Sequence, residues 1–133
     1  MSSRGSVIAN GHVTTTEYQL KDGKMVYDAK VLVGTTKRHH SLPDYSHSPC
    51  SIYIKENSDG SFREMRFFDK NRFPVLEIAY HPEKKLTGNQ SSSVLHYHTF
   101  GSDLRRKDAE GLSATLHPDI YKKYKKYLKE YGL

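Results

Sequence analysis

Tryptophan is absent from the chain, and cysteine occurs once, at Cys50. A single thiol excludes an intramolecular disulfide and fits a reducing compartment. Pro49-Cys50-Ser51 carries no thiolate-activating pattern, so a buried or inert thiol is expected. No apolar run approaches the ~20 residues of a membrane span. Residues 1–17 lack the charged and apolar blocks of a signal peptide. These absences point to a cytoplasmic protein that does not engage a membrane. Hydrophobic residues make up only 35% of 133 residues, which limits the chain to a thin core in one domain.

What is present is basic and rich in tyrosine. Lys and Arg number 21 against 15 Asp and Glu, a formal charge of +6, with 10 Tyr, 5 Phe and 8 His. A small cationic protein is drawn to polyanions, so the expected partner is nucleic acid or an acidic protein surface. Tyrosine suits half-buried strand faces and wet interfaces.

Residues 1–12 are small and polar and are expected to form a flexible start, with one domain over 13–133. Residues 14–20 and 25–33 are rich in strand formers, and Asp22-Gly23 between them marks a turn, giving a β-hairpin. Residues 34–50 hold two prolines, several serines and His39, His40 and His47, without apolar periodicity, and are read as a loop. Residues 51–57, 61–69 and 73–81 alternate as strands, joined at Ser58-Asp59-Gly60 and Lys70-Asn71-Arg72, an antiparallel meander. Pro74 places the start of its strand on an edge or outside the ladder. Residues 82–93 are a loop, 94–100 a further strand, and 101–116 are ambiguous. Ile120, Tyr121, Tyr124, Tyr127, Leu128 and Tyr131 recur at helical spacing after Pro118, with lysines on the remaining positions and Gly132 at the end. The expected fold is α+β: a mainly antiparallel sheet of hairpin, meander and one more strand, with a C-terminal amphipathic helix.

The chemistry concentrates in VLHYHTF, residues 94–100. On a strand, His96 and His98 share one face. If 94–100 pairs with 73–81, His81 joins them. Three imidazoles are a candidate zinc site, although no full ligand motif accompanies them. Paired imidazoles are also a candidate acid–base couple for cleaving RNA, with His81 or Arg66 assisting. The plain alternative is that the histidines hydrogen-bond locally on a packed face. For His39, His40 and His47 the plain reading is a polar loop, and for His117 the flank of the helix. Arg63, Arg105, Arg106, Lys122, Lys125 and Lys126 are the candidate phosphate or acidic-surface contacts.

Leu42 to Phe100 carries LPDYSHSP, SDGSFREMRFFD, EIAYHP and VLHYHTF in that order. This outline resembles small domains of Gram-positive prophage minor head proteins and toxin-like mobile-element proteins. The matching residues are Arg66, Phe67, Phe68, Asp69, Glu77, Ile78, Tyr80, His81, His96 and His98. The resemblance implies a phage or mobile-element origin and groups the three histidines as a set, but it supplies no reaction. The expected role is therefore binding, to nucleic acid or a protein partner, with a small ribonuclease and a histidine–metal structural domain as the rivals. No cofactor is the first expectation, with zinc at His81, His96 and His98 as the alternative.

Overall fold

In this computed structural model, residues 7–9, 12–14, 18–34, 42–43, 45–46 and 48–133 are described. Strands β1 (Val7–Ala9) and β2 (His12–Thr14) pair antiparallel as a small separate ladder. The other residues of the expected flexible start lie outside the described set, as do His39, His40 and His47.

The main sheet has seven strands in sequence order: β3 (Tyr18–Val26), β4 (Ala29–Gly34), β5 (Ile52–Glu56), β6 (Phe62–Phe68), β7 (Pro74–Pro82), β8 (Ser93–Thr99) and β9 (Glu110–Gly111). It is mostly antiparallel, as expected, but larger than a hairpin, meander and extra strand. It is also mixed, because β4 and β5 run parallel. Parallel neighbours need a long crossover. The chain between them is residues 35–51, part of which lies outside the described set, and the sequence of 34–50 shows only loop character.

The first hairpin turns elsewhere than at Asp22-Gly23. Val26 pairs with Ala29, so Tyr27 and Asp28 make the turn. Lys21 to Lys24 instead fall where the register shifts, with Gly23 at φ 71°. A left-handed glycine serves a bulge as readily as a turn, and the local residue types do not distinguish the two. Pro74 begins β7 at an irregularity opposite Phe68, before pairing with β8 starts at Leu76. Its missing N–H therefore costs the ladder nothing. Residues 82–93 contain the short helix α1 (Lys84–Thr87), ended by Gly88 at φ 81°. Cys50 is exposed rather than buried.

Cross-strand register sorts the residues onto two faces. Val31, Ile54, Met65, Ile78 and Tyr97 form one continuous row across five strands. The C-terminal helix α2 (Pro118–Lys129) covers that row with Ile120, Tyr121, Tyr124, Tyr127 and Leu128, the face expected from spacing. Phe67 and Tyr124 pack with ring centroids 4.4 Å apart. Burying this apolar face, at roughly 25 cal/mol per Å², is the main source of stability. Two polar anchors fix the helix. The Tyr127 hydroxyl donates to Asp28, and the Tyr131 hydroxyl donates to Glu56 at 2.6 Å. No helix among the described residues is long and apolar enough to cross a membrane.

Candidate functional site: a buried polar face

The opposite face of the sheet carries two rows of a different kind. One runs Lys30, Tyr53, Arg66, Glu77, His98. The next runs Leu32, Lys55, Glu64, Ala79, His96, Gly111. Strand alternation puts His81 on this face too. Arg66, Glu77, Glu64, His96 and His98 are all buried. Ionisable side chains are rarely buried to this degree unless they are paired, and this face shows how the pairing is done.

Arg66 and Glu77 face each other across β6 and β7. Arg66 Nη2 and Nε both donate to Glu77 Oε1, at 2.6 and 3.1 Å. Arg66 Nη1 donates to the backbone carbonyls of Leu42 and Pro43, at 3.0 and 2.9 Å. The second Glu77 oxygen accepts from Arg106 Nη1 at 2.7 Å. Burial alone would raise the Glu77 pKa, but Arg66 and Arg106 outweigh it and hold the carboxyl below its usual range. Glu64 has the opposite balance: burial and then the Glu77 charge push its pKa up, against Arg66, Lys55 and His81. The guanidinium of Arg66 also stands 5.5 Å from the ring centre of Phe100. The loop 100–107 and the segment 42–43 are thereby tied onto the face.

The histidines stand at the β8 end. His96 lies opposite Ala79, whose methyl group leaves room for the imidazole. The His81 and His96 ring centroids are 4.8 Å apart, and those of His96 and His98 are 5.4 Å apart, both edge-on. His96 Nδ1 bonds the Val94 carbonyl at 2.8 Å, His98 Nδ1 the Lys107 carbonyl at 2.7 Å, and His81 Nδ1 the Pro82 carbonyl at 3.0 Å. A carbonyl only accepts, so each Nδ1 donates a proton, and in the neutral ring this leaves Nε2 with its lone pair. Burial, offset in part by the bond to Val94, lowers the pKa of His96, and its two neighbouring imidazoles lower it further.

The structure thus brings His81, His96, His98 and Arg66 together, as the sequence pattern suggests. It draws in Arg106 as an ion-pair partner of Glu77 rather than as a free cation. Arg63 sits apart, at the bulge where Phe62 pairs with Glu56, and its Nε is buried without a hydrogen-bond partner. Lys122, Lys125 and Lys126 ride on α2 and are not part of the polar face; the Lys126 ammonium lies 5.0 Å from the Tyr27 ring centre. Arg105 is exposed on the loop beyond β8. His117 flanks α2 as expected, at φ 53°, with Nε2 3.0 Å from Glu110.

Glu64, paired with Ala79 on this face, and Glu83, with a carboxylate oxygen within 4.8 Å of a ring nitrogen of both His96 and His98, belong to the site, and the sequence pattern alone does not single them out. Glu64 follows from strand alternation once Arg66 is placed on the face. Glu83 gives no such signal, because it lies in the turn after β7. No protein-family model, curated protein or solved structure matches the chain.

Proposed function

We propose that the chain binds nucleic acid through a cationic rim around its buried polar face. One observation carries this reading. Lys84 and Lys85, on α1, and Arg105, Arg106 and Lys107, beyond β8, are all exposed and lie on segments joined by a Lys85–Asp108 ion pair of 3.0 Å. Both segments border the histidines: Lys84 follows Glu83, and the Lys107 carbonyl accepts from His98. Lys84, Arg105 and Lys107 have no carboxylate partner among the described residues. Unpaired cations gathered at one rim suit a phosphate backbone, which gains affinity by releasing counterions. The phage or mobile-element origin drawn from the resemblance is part of the same proposal.

The reading stops at binding rather than cleavage. Arg66, which would steady charge on a reacting phosphate, spends its guanidinium on Glu77 and two carbonyls. His96, the inner member of the pair, is fully buried.

Titrating a fluorescent single-stranded oligoribonucleotide with the protein tests this, with polyglutamate as an acidic protein mimic in parallel. Saturable binding of the oligonucleotide and none of polyglutamate supports the proposal. Binding of polyglutamate alone, or of neither, contradicts it.

A further inference from the structure

The buried imidazoles have a second capacity, independent of the cationic rim. The geometry points to a metal centre in which His96, His98 and Glu83 hold one divalent ion of the zinc class. One donor atom from each of the three residues lies within 4.8 Å of the other two. For atoms so spaced, a point can be chosen no more than about 2.8 Å from each, whereas zinc sits about 2.0–2.2 Å from nitrogen and carboxylate oxygen. Closing the set requires shifts of less than about 1 Å. Glu83 lies in the turn between β7 and α1, outside the ladder that holds both histidines.

Three features favour a ligand there over a merely packed cluster. His96 is fully buried, and its Nε2 has no hydrogen-bond partner among the described residues. Leaving a buried polar atom unsatisfied costs about 1–3 kcal/mol, and a bound cation removes that cost. The Nδ1 atoms of His96 and His98 are committed to backbone carbonyls, which fixes both rings with the Nε2 lone pair free. Such carbonyl contacts orient metal-ligating histidines and set their tautomer. Glu83 is half-buried, and its carboxylate accepts no cap hydrogen bond from α1.

The donor set selects the ion. Two imidazoles and one carboxylate suit zinc and its neighbours, whereas calcium and magnesium want six or more oxygens. The sequence groups His81 with His96 and His98, but among the described residues it is Glu83 that completes the compact set. His81 stands beside it, edge-on to His96. Three protein donors leave one tetrahedral position for water.

Calorimetric titration of the full chain with zinc chloride, read beside its melting temperature, tests the centre. The expected result is one equivalent bound and a melting temperature raised by zinc. Glu83→Ala, which removes a carboxylate that makes no cap hydrogen bond to α1, should weaken binding roughly tenfold or more, and His98→Gln should abolish the thermal shift. A His39→Ala/His40→Ala variant should bind as the wild type does. If wild type takes up no zinc, the centre does not exist. If Glu83→Ala and His98→Gln bind like wild type, or the His39/His40 variant alone loses binding, the ion sits elsewhere and the assignment fails. Should His98→Gln fail to fold, Glu83→Ala decides alone.

Discussion

Ala79 on β7 lies directly opposite His96 on β8, and both are fully buried. The smallest side chain with a Cβ faces an imidazole, with Glu64 on the other side of it. The space above Ala79 leaves room for the buried imidazole of His96. Ala79→Val should therefore destabilise the protein by about 1–3 kcal/mol through overpacking. It should also weaken zinc binding, because His96 must move. Chemical denaturation and zinc titration of the variant check both.

Arg66 and Glu77 predict a strong coupling. Glu77→Gln leaves a buried guanidinium short of its counter-charge and should cost about 3–5 kcal/mol. Arg66→Met should cost a similar amount, because it removes one of the two guanidinium partners of Glu77 and leaves the Leu42 and Pro43 carbonyls without their donor. The double variant should cost clearly less than the sum. Additive losses in urea denaturation would show that the pair is not coupled.

Glu64 predicts the reverse sign. Its pKa is raised by burial and by Glu77, so its ionised form opposes folding. Glu64→Gln should stabilise the protein at pH 7 by on the order of 1 kcal/mol. The gain should shrink as pH falls through the raised folded value. It should vanish below about 4.3, where the carboxyl is protonated even in the unfolded chain. Stability curves of variant and wild type from pH 7 to 3.5 measure this. A destabilised variant at pH 7 would contradict it.

Tyr127 predicts an alkaline effect. Burial and the bond to Asp28 raise its pKa, so its contribution is present below about pH 10, the unfolded value, and lost above it. Tyr127→Phe should cost about 1 kcal/mol at pH 7 and flatten the loss of stability at high pH. Thermal melts from pH 7 to 11 give both quantities.

Much of the fold could be read from residue spacing. The meander, the strand holding His96 and His98, and the apolar face of α2 all rest on local periodicity, and local periodicity was enough. The parallel pairing of β4 with β5 was not legible, because it depends on where a long connection lands. Glu110-Gly111 pairs with β8 for only two residues, too few for alternation to register. The site was half legible. His96 and His98 announced a shared face, and His81 fell in with them. Glu83 did not, because its place depends on how the turn after Pro82 folds back. Arg106 looked like a surface cation until the loop 100–107 brought it to Glu77.

The central claim, that phosphates bind at the rim of this face, is tested most directly by salt dependence. The slope of log K against log salt for a single-stranded oligoribonucleotide should be compared between wild type and Lys84→Gln/Arg105→Gln/Lys107→Gln. For single strands each neutralised phosphate contributes about 0.7 to the slope, so losing three contacts should make it shallower by about 2. An unchanged slope, with affinity intact, would place binding elsewhere on the protein and contradict the account.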